Sequence, residues 1–141
     1  MTIRDAVGAD GAAIAALLAS LGYPGTDDFI GEKIAAASAH PDARLLVCED
    51  AGVLLGCLSL HFIPQIALTG DFCRISYFCV AADARGRGIG AQLEAAGEAL
   101  ARARSCDRIE VHCHARRVDA HRFYARQGYA ESPKYFFKSL L

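Results

Sequence analysis

The chain has 141 residues, which suits one domain with one core and is too short for two ordinary domains. Apolar residues make up 53% of it and only four are proline, which excludes a disordered chain. The net charge of −1 hides an asymmetry: residues 1–72 hold nine acidic and three basic side chains, and residues 73–141 hold seven acidic and twelve basic ones. We therefore predict a single domain over residues 1–141, with a polyanionic ligand on its basic part and a cationic second substrate on its acidic part.

Cellular location is predicted from the first ten residues and from the cysteines. Met1 to Asp10 contain two acids, one arginine and no apolar core of a signal peptide, and no apolar run of the chain is long enough to span a membrane. The six cysteines include no Cys-x-x-Cys pair, so we expect free and mostly buried thiols in a cytoplasmic protein. The basic residues form no contiguous run, and we expect neither a nucleic-acid nor a membrane partner.

The first part of the chain shows alternating helical and strand patterns. Asp10 is a plausible N-cap for a helix in which Ile14, Leu17 and Leu21 recur at helical spacing. Asp50-Ala51-Gly52 separates two apolar runs and indicates a hairpin. In chain order the predicted elements are a short strand at 2–5, helices at 9–21 and about 28–38, and strands at 45–49, 53–62 and 74–81.

The second part begins with the longest predicted helix, from Gly88 to about Arg104, whose apolar residues form one face. A strand at 108–114 follows, in which Glu110, His112 and His114 share one face. A short helix at 117–127 and a last strand at about 135–140 complete the order β-α-α-β-β-β-α-β-α-β. This order predicts an α/β fold with a mixed sheet and helices on both faces.

The most informative motif is Arg85-Gly86-Arg87-Gly88-Ile89-Gly90, which lies between a strand and the longest helix. Glycines free the backbone at this turn, so that its N–H groups can face an anion at the positive end of the helix. The two arginines add charge-assisted donors that suit phosphate. The motif therefore predicts a phosphate-bearing cofactor.

Two cofactor classes fit this loop. Gly86-x-Gly88-x-x-Ala91, with Asp107 further on, matches a loose dinucleotide-binding fingerprint, although the repeated strand–helix units that should follow it are absent from the sequence. The chain contains no Gly-x-x-x-x-Gly-Lys-Ser/Thr sequence, which excludes a P-loop nucleotide hydrolase.

The second interpretation of this loop rests on a resemblance to the GNAT superfamily of N-acetyltransferases. The pyrophosphate loop of that family reads Arg/Gln-x-x-Gly-x-Gly/Ala, as at 85–90 here. Residues 120–129, Ala-His-Arg-Phe-Tyr-Ala-Arg-Gln-Gly-Tyr, resemble the second family motif, a Phe-Tyr pair on a helix before Gly and an aromatic residue. Lys134-Tyr135-Phe136-Phe137-Lys138 resembles the closing strand of many members. The order of predicted elements matches the family over essentially the whole chain, and implies a mostly antiparallel central sheet.

This resemblance implies transfer of an acetyl group from acetyl-CoA directly to a primary amine, with no metal and, by family habit, a homodimer. Two departures from the family pattern stand out: Arg117 replaces an asparagine that contacts pantetheine, and Tyr77 replaces a glutamate that serves as base in several members. Arg117 resembles the small-molecule amine acetyltransferases, which include aminoglycoside-modifying enzymes. The expected cofactor-binding residues are Phe78, Cys79, Val80, Arg85, Gly86, Arg87, Gly88, Ile89, Gly90, Arg117 and Tyr124. The resemblance also implies that strands four and five splay apart, which leaves the backbone N–H groups of Cys79 and Val80 for the thioester carbonyl.

The reaction needs an acid for the departing thiolate and a base for the amine. The resemblance makes Tyr124 the candidate acid, whereas aromatic packing in the core would also explain this residue. For the base we favour the predicted face with Glu110 and His112, because a histidine is well matched to neutral pH. Structural hydrogen bonding and, more remotely, a metal site are the alternatives for that face.

Asp27 and Asp28 follow a turn between the first two helices and are candidates for binding a cationic acceptor, together with Tyr77, although helix N-capping also explains one of the two acids. The leading prediction is an acetyltransferase acting on a small-molecule amine. The alternatives are a protein or peptide N-terminal acetyltransferase, a noncatalytic acyl-CoA sensor that has lost its base, and a nicotinamide dinucleotide binder.

Overall fold

The computed structural model describes residues 1–132 and 136–141. These residues form five strands and four α-helices, and one 3₁₀ turn precedes each of α1 and α3, at Gly8–Asp10 and Ala82–Ala84. The elements are β1 (Thr2–Asp5), α1 (Gly11–Leu21), α2 (Ile30–Ala39), β2 (Ala43–Asp50), β3 (Val53–Ile63), β4 (Phe72–Val80), α3 (Ile89–Ala103), β5 (Arg108–Val111) and α4 (Val118–Arg126).

The five strands form one sheet in the order β1-β2-β3-β4-β5. Neighbours from β1 to β4 are antiparallel, and β5 pairs with β4 in parallel after the crossover through α3. This is the mixed, mostly antiparallel sheet that the sequence predicts. A dinucleotide-binding domain instead has a mostly parallel sheet, so the fold does not support that alternative.

Helices cover both faces of the sheet, as predicted. On one face, α1 and α2 pack against the sheet through Ile14, Leu17 and Ile34. On the other, α3 packs through Ile89 and Leu93. The two buried layers fix α3 and its N-terminus relative to β4.

Two glycines allow α3 to lie unusually close to the sheet. A Cβ atom on Gly56 of β3 would lie 2.9 Å from the carbonyl oxygen of Cys79 and 2.9 Å from Cδ1 of Leu93. A Cβ atom on Gly97 of α3 would lie 2.9 Å from Cδ2 of Leu58. Real Cβ contacts are longer than this, so a larger residue at Gly56 would displace backbone, and one at Gly97 would require the Leu58 side chain to move.

The structure corrects the predicted role of Asp10. It stands at the start of α1, but its carboxylate makes no capping bond to that helix. Instead the carboxylate accepts hydrogen bonds from Nη1 and Nη2 of Arg4, at 2.8 and 2.9 Å, and from the backbone N–H of Val7 at 2.8 Å. The Asp10 carboxylate therefore binds the Arg4 guanidinium of the preceding strand, β1, and not the N-terminus of α1.

The predicted last strand is not confirmed. Phe136 to Leu140 form no strand, and Tyr135 lies outside the described residues. Phe136 and Leu140 are 89% and 91% exposed, so these side chains gain none of the burial that makes a strand favourable. In the described part of the chain no helix is long and apolar enough to cross a membrane.

We expect Arg4→Ala to destabilise the protein by about 2 kcal/mol, because it leaves the buried Asp10 carboxylate without its cation; the figure allows for the partial exposure of Arg4. The Arg4 guanidinium lowers the pKa of Asp10, so this stabilisation is present above pH ~4 and is lost as the pH falls through the folded-state pKa. Urea unfolding of both proteins at pH 7 and at about pH 3 measures the effect.

The matched control is Arg44→Ala, which removes an arginine from a more exposed pair with Asp5. Its expected effect is within about 0.5 kcal/mol. Equal effects of the two substitutions at pH 7, or a difference between Arg4→Ala and wild type that does not shrink in acid, would contradict the assignment.

Candidate functional site

The glycine-rich turn between β4 and α3 presents an open backbone. Gly86 and Gly88 have φ angles of +81° and +76°, a left-handed conformation that side chains disfavour. Apart from their chain neighbours, no atom of the described residues lies within 4 Å of where their Cβ atoms would be. The N–H of Gln92 donates to the carbonyl of Gly88, which begins α3. The first N–H groups of α3 have no intrahelical acceptor, so turn and helix together form an anion-binding surface.

Strands β4 and β5 separate next to this turn. They pair only from Phe72↔Arg108 to Ile75↔Val111, whereas β4 continues to Val80. The gap bordered by residues 76–80 of β4 is the splay that this family resemblance required and that the sequence could not show.

Backbone alternation decides which amides face the gap. The Ala81 N–H donates to the Leu55 carbonyl at 2.8 Å, and the register pairs Cys79 with Cys57. Alternate residues of an antiparallel strand bond to the same neighbour, so the N–H groups of Phe78 and Val80 face the gap. That of Cys79 faces β3, so the expectation that the Cys79 amide binds the thioester carbonyl is wrong. Cys79 instead fixes this end of β4, since its thiol lies 3.1 Å from the carbonyl oxygen of Leu17 in α1.

A groove of about 780 Å³ connects the glycine-rich turn, the gap and α4. It also contains Arg116, Arg126 and Phe123, which were not among the expected cofactor-binding residues. Arg87 does not line the groove, because its Nη2 binds Asp50 at 3.2 Å. The predicted cofactor residues that line it are Phe78, Cys79, Val80, Arg85, Gly86, Gly88, Ile89, Gly90, Arg117 and Tyr124.

Tyr124 reaches the groove from α4 within an aromatic cluster. Its ring lies 5.3 Å from the rings of Phe123 and Tyr129 and 6.4 Å from that of Phe78. Burial raises the pKa of its phenol to about 12. In the described part of the chain nothing accepts the proton of its hydroxyl, which leaves this proton available to a ligand in the groove.

Glu94 of α3 supports this cluster and was missed from the sequence. It is 3% exposed and accepts a hydrogen bond of 3.0 Å from the Tyr129 hydroxyl, and burial raises its pKa. Because the Tyr129 ring packs on that of Tyr124, the bond fixes the orientation of both rings. No local pattern connects residues 35 positions apart.

The predicted base residues on β5 are only partly brought together. Arg74 of β4 donates through Nε and Nη2 to one oxygen, Oε1, of Glu110, at 2.8 and 2.5 Å. β5 ends at Val111, where pairing with β4 ends, so His112 and His114 lie beyond it and the predicted common face is wrong for them. In residues 1–132 and 136–141 no three His, Cys, Asp or Glu side chains are placed to bind one metal ion.

The predicted substrate residues lie outside the groove. Tyr77, 42% exposed, packs edge-to-face on Tyr23 at 5.2 Å, which connects β4 to the loop between α1 and α2. Asp27 and Asp28 are exposed in that loop, and neither caps α2, whose N-cap residue is Phe29.

A polar cluster at the beginning of the gap was also missed. Ser76 is the first residue of β4 beyond its pairing with β5, at an irregularity in its register with β3. Its Oγ lies 2.8 Å from Oγ of Ser59 and 2.9 Å from Nε2 of His61. Three isolated polar residues in apolar strands give no motif, so only the sheet register brings them together.

Comparison with known proteins gives a consistent result. The model of the acetyltransferase (GNAT) family matches residues 13–129. The aminoalkylphosphonate N-acetyltransferase of Salmonella typhimurium is 32% identical over 109 residues, which are 77% of this chain and 71% of that protein.

Two solved structures share the fold over nearly their full length. Glucosamine-6-phosphate N-acetyltransferase from Arabidopsis thaliana superimposes with a TM-score of 0.87 at 18% identity, covering 99% of this chain and 97% of that one. Aminoglycoside 6'-N-acetyltransferase from Acinetobacter haemolyticus gives 0.83 at 17% identity, with 99% and 97% coverage.

Proposed function

The chain belongs to the acetyltransferase (GNAT) family and is an acyltransferase, and we propose that it transfers an acetyl group from acetyl-CoA to the primary amine of a small molecule. The proposed acceptor class is supported by the aminoalkylphosphonate N-acetyltransferase, which is similar over most of the chain. We also propose that residues 1–141 act as one domain.

One observation carries the proposal: a single groove contains an open anion-binding turn, exposed strand amides and a protonated tyrosine. The left-handed glycines, with free space where a side chain would be, suit close approach of a diphosphate. The arginines of this groove, Arg85, Arg116, Arg117 and Arg126, match the negative charge of a phosphorylated cofactor.

The residues of the groove then have distinct roles. Bound acetyl-CoA supplies an activated acyl group as a thioester. The N–H groups of Phe78 and Val80 donate to carbonyl oxygens in the gap and stabilise the negative charge that develops during attack. Tyr124 donates its proton to the departing sulfur. The phenol holds this proton at neutral pH, because burial raises its pKa to about 12.

The amine must lose a proton before or during attack, and we propose Glu110 and His112 for this step. Oε1 of Glu110 takes both bonds from Arg74, and in the described part of the chain Oε2 accepts none. Arg74 thus orients the carboxylate and leaves one oxygen for the amine. His112 follows directly on β5 and is the second candidate.

We expect Glu110→Gln to lower kcat/KM about 100-fold at pH 7, since an amide cannot accept the proton. The loss should shrink as the pH approaches about 10, where the amine is increasingly neutral without help. Full pH–rate profiles of wild type, Glu110→Gln and His112→Gln measure this.

Glu98→Gln is the matched control, because Glu98 also pairs with an arginine, Arg102, but lies on α3. It should leave the profile unchanged. If the pH–rate profile of Glu110→Gln runs parallel to that of the wild type, a group other than Glu110 accepts the proton of the amine.

Thiol release from acetyl-CoA tests the function itself. We expect release that depends on an added small primary amine and yields the N-acetyl product, detected by mass spectrometry. Acetylation of peptide N-termini with no activity on small amines would replace the proposed acceptor class, and no release with either class would refute the proposal.

A further inference from the structure

The face of the sheet towards α1 and α2 carries a row of polar side chains next to the gap. His61 of β3 is opposite Arg74 of β4, and Arg74 is opposite Glu110 of β5. Ser59 and Ser76 adjoin this row at hydrogen-bonding distance from each other. The row begins where β4 and β5 separate, which is where the proposed reaction takes place.

Hydrogen bonding within the row leaves donors unused at its β3–β4 end. Oγ of Ser76 makes two close contacts, with Oγ of Ser59 and Nε2 of His61, and each contact uses one polar hydrogen. The two hydroxyls and a neutral imidazole together carry three such hydrogens, so one donor of this group is left for a ligand. Nη1 of Arg74 likewise makes no hydrogen bond within the described residues, since only Nε and Nη2 bind Glu110. Free donors beside a cation suit an anionic oxygen.

The opposite end of the row carries the complementary charge. Within residues 1–132 and 136–141, Oε2 of Glu110 accepts no hydrogen bond, and a carboxylate oxygen suits an ammonium group. Because neighbouring strands lie about 4.8 Å apart, Glu110 and His61 are separated by roughly 10 Å across β4. Arg74 lies between them on β4, and an amine and an oxyacid group joined by a short carbon chain span this distance with a hydrogen bond at each end.

We propose that Ser59, His61, Ser76 and Arg74 form a subsite for an anionic oxygen of the acceptor, so that the preferred acceptors are short ω-amino phosphonates, phosphates or carboxylates. This inference rests on the proposed acetyltransferase function and adds residues that select the acceptor. Ser59, His61 and Ser76 bind the end of the acceptor that does not react, so they act on its affinity and not on the acyl transfer, whereas Arg74 also orients the proposed base, Glu110.

The test compares two acceptors of similar length, 2-aminoethylphosphonate and propylamine. For the wild type we expect kcat/KM at least about tenfold higher with the phosphonate, because charge-assisted hydrogen bonds strengthen its binding. In Ser59→Ala and Ser76→Ala this preference should fall about tenfold, through a higher KM for the phosphonate and with its kcat within about twofold of wild type. His61→Gln retains an N–H donor and should lose less of the preference.

Ser38→Ala, at an exposed position of α2, is the matched control and should keep the wild-type preference. A thermal melt of each variant checks that it is folded. The proposal is overturned if the wild type uses propylamine as well as the phosphonate, or if the serine variants lower kcat for both acceptors equally. Wild-type activity with propylamine alone would overturn the subsite and leave the acetyltransferase function intact, whereas no activity with any amine would refute both.

Discussion

Tyr124→Phe is expected to lower kcat about 100-fold or more while acetyl-CoA binding changes by less than about threefold. The substitution removes the only proton that the side chain can give to the departing sulfur and keeps the ring contacts with Phe78, Phe123 and Tyr129. Steady-state thiol release gives kcat, and calorimetry gives the dissociation constant. Since the pKa of the phenol is raised to about 12, the wild type should show no loss of this acid below pH ~10.

Tyr129→Phe separates the acid role from general support of the aromatic cluster. It removes a neighbouring phenol whose partner is the buried Glu94, so its main expected effect is lower stability. A kcat for Tyr124→Phe equal to that of wild type would remove Tyr124 as the acid. A loss of equal size in both variants would show that packing, and not the proton, matters.

Gly88→Val is expected to weaken acetyl-CoA binding about 100-fold. Gly88 has φ +76° directly before the first residue of α3. A β-branched residue is strained in this conformation by about 1–3 kcal/mol, and its methyl groups would occupy the space through which an anion approaches the amides. Calorimetry with acetyl-CoA measures the effect.

Gly52→Val is the matched control, because Gly52 has φ +80°, has no atom within 4 Å of its Cβ position, and lies in the turn between β2 and β3. Both variants should lose similar stability in urea unfolding. If binding by the two variants were equally weak, strain would explain the loss; if Gly88→Val bound acetyl-CoA normally, the turn would not be the diphosphate site.

Most of the fold could be predicted because its signals are local. The amphipathic pattern predicted α3 within one residue at each end, and the hairpin at Asp50-Ala51-Gly52 connects β2 and β3 as expected. The errors arose where a residue of another element decides the outcome. Arg4 draws the carboxylate of Asp10 away from α1, and β5 stops at Val111 because its neighbour diverges there.

The residues of the functional site show the same difference between local and long-range signals. The turn at 85–90 and Tyr124 belong to short motifs, so they could be named from the sequence, and all of them except Arg87 line the groove. Glu94 and the cluster around Ser76 could not be predicted, since their partners come from other elements. The register irregularity between Ser59 and Leu60, which brings Ser76 beside His61, has no signature in single residues.

The close contact of α3 with β3 through Gly56 and Gly97 has a thermodynamic consequence for ligand binding. The helix cannot shift without breaking packed core contacts, so the amides at its N-terminus are held in position before any cofactor arrives. The entropy of ordering them is lost when the chain folds and not when the complex forms. Association should therefore follow rigid-body kinetics. A larger residue at either glycine should weaken cofactor binding without touching the cofactor, because the N-terminus of α3 would no longer be held in position.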